Sequence, residues 1–126
     1  MKVIRAIEAL SGGEQGGENM FAGDVSLKSL AQAQPGAGVA IVHFRGGARN
    51  HWHAHSGGQV LYVLDGTGRV QAEGEPVVEL QPGDFVIAEP GEKHWHGAAE
   101  GADMAHISIA SGAAEWFSPV EDEPGH

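Results

Sequence analysis

The chain has 126 residues, of which 41 % are hydrophobic and 19 % are charged, values typical of one globular domain rather than a disordered chain. Seven Lys and Arg against 17 Asp and Glu give a formal net charge of −10, which disfavours nucleic acid and anionic membrane surfaces as partners. The absence of cysteine excludes disulfides, thiolate metal sites and cysteine nucleophiles.

The two ends of the chain indicate where the folded core lies and where the protein resides. Charged residues interrupt Met1 to Glu8 before the apolar core of a signal peptide could form, and no apolar stretch has the length needed to cross a bilayer. We therefore expect a cytoplasmic protein without membrane partners.

We also expect a single domain over residues 1–126, with its core at about 20–118 and a flexible tail at 119–126.

The first half of the chain alternates short apolar runs with glycine-rich segments. Twenty glycines, scattered singly or in pairs, predict many tight turns and hence many short strands. In chain order we expect a loop at 11–19, a strand at 25–30, a turn at 35–38, a strand at 39–44 and a turn at Gly46-Gly47.

The second half continues the series of strands. We expect strands at 59–64, 69–73, 76–80, 85–88, 94–97 and 104–110, with a hairpin turn at 65–68 and further turns at Gly74, 81–84 and Pro90-Gly91. No segment has the 3.6-residue periodicity of a full helix. Strands at intervals of roughly 8–12 residues predict an all-β sandwich or barrel.

Histidines are concentrated where these strands could converge. Residues i and i+2 of a strand point to the same face, so His53 and His55 can direct two imidazoles at one point. Gln59 follows after a short turn, and His94, with its i+2 neighbour His96, adds a third imidazole from a distant strand. Imidazole is a common ligand of first-row divalent metals, so the pattern predicts a mononuclear metal site.

A purely structural interpretation competes with the metal site. A lone histidine in a strand is usually a packed or solvated residue, and we interpret His43, His51 and His126 in that way. A His-x-His-x-His run can also be a solvated face, or can bind metal without any function.

The residues around these histidines resemble the two motifs of the cupin family. Gly47-x5-His53-x-His55-x3-Gln59-x6-Gly66 is similar to the first motif, with Gln in place of Glu. Gly83-Asp84, Pro90-Gly91 and His94 resemble the second, with Glu89 in place of its proline and Ala98 in place of its final Asn. The resemblance implies an all-β double-stranded β-helix, or jelly-roll barrel, that pairs as a homodimer through an edge strand. It also implies one divalent metal ion bound by His53, His55, Gln59 and His94.

Glutamine at position 59 alters the chemistry that the motif implies. An amide oxygen, unlike a carboxylate, leaves the full double positive charge on the metal, which strengthens its Lewis acidity. The ligand types alone permit Mn²⁺, Fe²⁺, Ni²⁺ or Zn²⁺.

A closer resemblance is to small bacterial manganese cupins with hydroxynitrile lyase activity. It lies in Gly47-Ala48-Arg49, Trp52-His53-Ala54-His55, Gly58-Gln59 and Gly91 to Ala99, and in the placement of His106. It implies Mn²⁺ as the favoured metal, His106 as the general base, and a substrate pocket that we assign to Ala40, Val42, His96, Ser108 and Ala110. The sequence departs from the group in its N-terminal third, in the additional His51, and in Ala110, which replaces a longer polar residue.

Three functions remain open from the sequence. The first is a metal-dependent lyase or isomerase acting on a small hydroxy or carbonyl compound without redox change, such as a lyase that cleaves a cyanohydrin to an aldehyde and cyanide. The second is an Fe²⁺-dependent dioxygenase, and the third is a non-catalytic cupin that binds a small molecule. The role of His106 is open in the same way, because it could be a base or a core histidine bonded to the backbone.

Overall fold

A computed structural model describes residues 1–34 and 37–121. Pro35-Gly36, in the turn predicted at 35–38, lies outside these residues, as do His126 and most of the predicted 119–126 tail. The described chain is built mainly of antiparallel strands, which confirms the predicted all-β class. Within it, no helix has the length and apolarity to cross a membrane.

The elements follow one another along the chain as one short helix and eleven strands in the described residues. They are α1 (Ala6–Ala9), β1 (Glu14–Gln15), β2 (Phe21–Gln34), β3 (Ala37–Asn50), β4 (His53–His55), β5 (Gln59–Gly66), β6 (Gly68–Ala72), β7 (Val78–Leu80), β8 (Phe85–Ala88), β9 (His94–Ala98), β10 (Met104–Ser111) and β11 (Ala114–Trp116). Every strand predicted from residue 25 onwards is present, whereas β1 and β11 lie where no strand was expected.

Two predicted turns are wrong. Strand β3 continues through Gly46 and Gly47. Their φ values of 59° and 79° accommodate a bulge in β3 opposite Gly23, where the register with β2 shifts, so the strand does not end there. At 65–68 the expected hairpin does not form, because β6 pairs with β7 and β9 rather than with β5. Gly66 packs directly against the backbone carbonyl of Asp103, and this contact directs the chain away from β5.

The strands form one curled antiparallel sheet in the order β11-β4-β9-β3-β10-β5-β8, with β2 paired to β3, and β6 paired to β9 and β7. Strand β3 is central to this arrangement because it contacts β2, β9 and β10. The curl brings β4 and β9 to face β5 and β10 across the interior.

Alternation along the strands gives the curled sheet an inner and an outer face. Cross-strand partners share a face, so the register places His106 beside Val42 and Val63, and Ser108 beside Ala40 and Leu61, on the inner face. The outer face carries the intervening residues, including Ile107 and Ile109.

The hydrophobic core fills the inner space next to the histidines. It contains Phe21, Val25, Val42, Phe44, Ala48, Val63, Leu80, Ala98 and Met104. Phe44 is 1 % exposed, and its ring centroid lies 5.3 Å from that of His106 and 6.1 Å from that of His96. The apolar core therefore packs directly against the buried histidines.

Candidate metal centre

Two short strands carry the histidines to the same place. Residues His53 and His94 are direct partners in the pairing of β4 with β9, so their side chains leave the sheet side by side. The turn after β4 is closed by Gly58 N–H and Gly91 N–H, which both donate to the carbonyl of His55. This turn returns the chain at once into β5, whose first residue is Gln59.

Three imidazoles converge at this point. One ring nitrogen from each of His53, His94 and His96 lies within 4.8 Å of the other two, and these residues are 1 %, 2 % and 3 % exposed. Two of them, His53 and His94, belong to the predicted ligand set. The third, His96, was predicted to line the pocket, and the structure brings it into the cluster itself.

His55 borders this cluster without being part of it. Its ring centroid lies 5.1 Å from that of His53 and 6.3 Å from that of His94. Its Nε2 atom is buried and has no hydrogen-bond partner. A buried ring nitrogen without a partner costs free energy unless it binds something, so His55 fits the ligand role predicted for it.

Backbone carbonyls fix the tautomers of two rings. His53 Nδ1–H donates to the carbonyl of His51 at 2.8 Å, and His94 Nδ1–H donates to the carbonyl of Glu92 at 2.9 Å. Because a carbonyl oxygen accepts only, each neutral ring carries its proton on Nδ1 and presents an unprotonated Nε2 to the interior. This arrangement is the one that metal-binding histidines adopt.

Gln59 adds an oxygen atom to the histidine nitrogens that could bind a cation. Its Nε2 donates to Ser108 Oγ at 2.9 Å, which turns Oε1 towards the histidines, 2.9 Å from His94 Nε2. Two lone-pair atoms at this distance repel each other unless a positive charge lies between them or the amide turns over. Two ligands at right angles, each about 2.1 Å from a metal ion, are about 3 Å apart, so the pair fits a shared ion.

Burial keeps these rings neutral. Desolvation, followed by the electrostatic effect of His94, lowers the pKa of His53 to about 3, and the same two causes lower that of His55 to about 4. Desolvation also lowers the pKa of His94, and lowers that of His96 well below its usual value. Neutral imidazoles are the form that binds metal, so no proton has to leave before an ion enters at neutral pH.

His106 contacts His96 and extends the cluster into the barrel. His106 is fully buried on β10, and its Nε2 lies 3.0 Å from Nδ1 of His96. Desolvation is the largest cause that lowers the pKa of His106 to about 4, and its Nδ1 has no hydrogen-bond partner. The ring predicted to be the general base thus reaches the cluster through His96.

The predicted pocket residues lie on the wall beside this pair. Ala40, Val42, Ser108 and Ala110 all lie on the inner face, where Val42 pairs with His106 and Ala40 pairs with Ser108. Ser108 also holds the amide of Gln59. The structure therefore gathers the pocket residues on one wall beside the histidines.

Two residues that the sequence analysis missed support the cluster. The Asn50 Oδ1 atom accepts a hydrogen bond from the backbone N–H of His96 at 2.9 Å, and its amide nitrogen lies 3.2 Å from His96 Nε2. The Trp116 ring, on β11, stacks on that of His53 with centroids 4.7 Å apart and planes at 27°. The apolar pair Trp116-Phe117 after Gly112 was the one available signal for β11.

Comparison with known proteins identifies relatives over most of the chain. Residues 40–110 match the family model described as "Cupin domain". Over 129 aligned positions, covering 98 % of this chain and 97 % of the relative, the chain is 43 % identical to a protein of Granulicella tundricola named (R)-mandelonitrile lyase.

Solved structures agree with the fold. A cupin-like protein from Thermotoga maritima superimposes with a TM-score of 0.83 and 39 % identity, covering 87 % of this chain and 88 % of that one. A predicted oxalate decarboxylase from the same organism superimposes with a TM-score of 0.75 at 22 % identity, over 89 % of this chain and all of that one. The second likeness concerns the fold alone.

Proposed function

This chain belongs to the cupin domain family, and from that premise we propose that it is a metal-dependent lyase that cleaves a cyanohydrin into an aldehyde and cyanide. The proposal depends mainly on near full-length similarity to a protein named mandelonitrile lyase, together with the convergence of His53, His94 and His96. The substrate class is that of the relative, namely small cyanohydrins with an aromatic group such as mandelonitrile.

The donor set supports one divalent ion, and we propose that the ion is manganese. Histidine nitrogens and the amide oxygen of Gln59 are neutral, so a bound ion would keep its full charge and act as a Lewis acid on the substrate oxygen. The predicted ligand set of His53, His55, Gln59 and His94 remains part of this proposal, with His96 as a further candidate.

We assign proton transfer to the pair of His96 and His106. Both rings are neutral at pH 7 because burial lowers their pKa values, so the pair can accept the hydroxyl proton of the substrate. As the C–C bond breaks, its electron pair leaves with cyanide and the alcohol carbon becomes the aldehyde carbonyl. The proton then passes from the pair to the cyanide, and this returns both rings to their starting state.

The experiment compares metal-stripped protein with protein reloaded with Mn²⁺, Fe²⁺, Ni²⁺ or Zn²⁺, under anaerobic conditions and with mandelonitrile as substrate. We expect equal amounts of benzaldehyde and cyanide above the protein-free rate, loss of turnover on stripping, and its recovery with manganese. His106→Ala should remove most of the turnover. His43→Ala is the matched control, because His43 lies on the outer face of β3, one residue from Val42.

Each competing function has its own outcome in this experiment. Turnover that survives both metal stripping and His106→Ala would overturn the lyase. Product formation that is absent under anaerobic conditions, and substrate loss that in a parallel assay in air requires iron and consumes oxygen, would identify a dioxygenase instead. Tight binding of the cyanohydrin by every metal-loaded form, without product, would identify a binding protein.

A further inference from the structure

One buried amide contacts His96 from the neighbouring strand. Asn50 is the last residue of β3 and is 3 % exposed. Its Oδ1 accepts a hydrogen bond from the backbone N–H of His96 at 2.9 Å. Because a backbone N–H can only donate, this bond identifies the oxygen end of the amide, and the NH2 group is therefore the end that contacts the imidazole ring of His96.

The NH2 group of Asn50 lies over the face of the His96 ring rather than in its plane. Its nitrogen is 3.2 Å from Nε2 and 3.3 Å from Nδ1 of that ring. Since Cε1 lies between the two ring nitrogens, an atom in the plane and this close to both would overlap Cε1. The amide therefore donates to the π-face of the imidazole, a weak contact that still restricts the ring.

Both nitrogens of His96 then remain available in the ring plane. Nδ1 lies 3.0 Å from Nε2 of His106, and Nε2 lies 3.3 Å from Oε1 of Gln59 in the cluster. The torsion that sets the imidazole plane of a histidine is broad, so neighbouring groups must fix it. Asn50, which bonds to the backbone of His96 and covers its ring, opposes a rotation that would break both of these contacts.

We propose that Asn50 is a positioning residue that holds His96 as a proton relay between the metal centre and His106. The inference rests on the proposed lyase function, in which these two rings carry the hydroxyl proton of the substrate. In the relay, Nε2 of His96 takes this proton while Nδ1 releases its own proton to Nε2 of His106. His96 stays neutral, His106 carries the charge, and the reverse steps deliver the proton to cyanide. In this role His96 does not bind the ion.

The first test is steady-state kinetics of manganese-loaded protein with mandelonitrile. Asn50→Leu replaces the amide by an apolar side chain of similar size. We expect its kcat to fall about tenfold or more, with KM and manganese affinity unchanged, because the substitution frees the ring of His96 without removing a group that binds ion or substrate. An unchanged kcat overturns the inference. A parallel fall in manganese affinity also overturns it, since Asn50 would then support a metal ligand.

Gln71→Leu is the matched control. Gln71 Oε1 accepts the indole N–H of Trp95 at 2.8 Å, so this variant removes an amide hydrogen bond to the residue next to His96, on the opposite face of β9. Its kcat should equal that of wild type. A loss equal to that of Asn50→Leu would show that any disturbance of β9 has this effect, and would overturn a specific role for Asn50.

Nuclear magnetic resonance tests the placement of Asn50 without turnover, on chelator-treated and Zn²⁺-loaded protein, neither of which contains a paramagnetic ion. In wild type the ring current of His96 should shift the Asn50 NH2 protons upfield, and these protons should show a nuclear Overhauser contact with the ring. His96 and His106 should share one slowly exchanging imidazole proton, which Asn50→Leu should lose and Gln71→Leu should keep.

The same spectra separate this inference from the proposed function. Asn50 NH2 protons at ordinary chemical shifts, without a contact to His96, overturn the inference even if Asn50→Leu fails to fold. Wild-type protein without turnover would refute the proposed function alone, because the spectra still decide whether Asn50 holds the ring.

Discussion

Acidification of the metal-free protein tests whether the buried histidines are held neutral. His53 and His106 are 1 % and 0 % exposed, and burial is the largest cause that lowers their pKa values to about 3 and about 4, from 6.5 in an unfolded chain. Below pH 6.5 these two histidines bind protons in the unfolded chain, whereas in the folded chain they stay neutral until a lower pH. The stability present above pH 6.5 is therefore lost as the pH falls towards 4.

The size of the loss follows from the difference in pKa. At about pH 5 an unfolded histidine is ~1.5 pH units below its pKa, and at 1.36 kcal/mol per unit each of the two residues costs about 2 kcal/mol. The pKa values of His94 and His96 are lowered in the same direction and add to this loss. Against a typical domain stability of about 5–15 kcal/mol, a loss of at least about 4 kcal/mol is large.

The assay is urea unfolding of chelator-treated protein, followed by tryptophan fluorescence between about pH 8 and about pH 5. We expect the free energy of unfolding to change little from pH 8 to pH 7, and to fall by about 4 kcal/mol or more from pH 7 to pH 5. His106→Gln removes one titrating ring, so its loss over the same interval should be smaller by about 2 kcal/mol. An unfolding free energy that is equal at pH 7 and pH 5, or an equal loss in His106→Gln, would refute the reasoning.

Three further predictions concern the metal centre and the barrel. Gln59→Glu places a carboxylate where the amide oxygen lies, so metal affinity in a chelator competition should rise about tenfold or more; an unchanged affinity would mean that residue 59 is not a ligand. Trp116→Leu removes the ring stacked on His53 and should weaken metal binding by about tenfold, whereas Trp116→Phe should retain most of the affinity. Equal affinities in the two variants would contradict a positioning role for the ring. Gly97→Ala would force a methyl group to 2.5 Å from the backbone of Ala48 and Arg49, so thermal unfolding should reveal a loss of about 1–3 kcal/mol or more.

Local sequence was sufficient for the strands that carry the site. The alternation His53-Ala54-His55 and His94-Trp95-His96 places each pair of imidazoles on one face of a strand, and this depends on backbone geometry alone. The structure confirms β4 and β9 at these positions and brings His53 opposite His94. The all-β class was predictable in the same way, from the spacing of apolar runs and glycines.

Turn chemistry was a weaker guide, because one turn sequence permits two paths. Asp65-Gly66-Thr67-Gly68 suits a hairpin, yet the chain crosses to pair β6 with β9. The deciding contact is between Gly66 and the carbonyl of Asp103. Asp103 lies 37 residues after Gly66, so the sequence around the turn does not reveal this contact. The same holds for β11, whose pairing with β4 depends on the position of the neighbouring strand.

The amino-acid sequence alone determined the strand pattern, the family and the small group of residues from which the site is built, because these follow from periodicity and motif spacing. Tertiary structure decided which of them meet: it placed His96 in the cluster, connected His106 to it, and set Asn50 and Trp116 around it. The physical reason is that a strand fixes the face on which a side chain lies, while the curl of the sheet fixes the distance between faces.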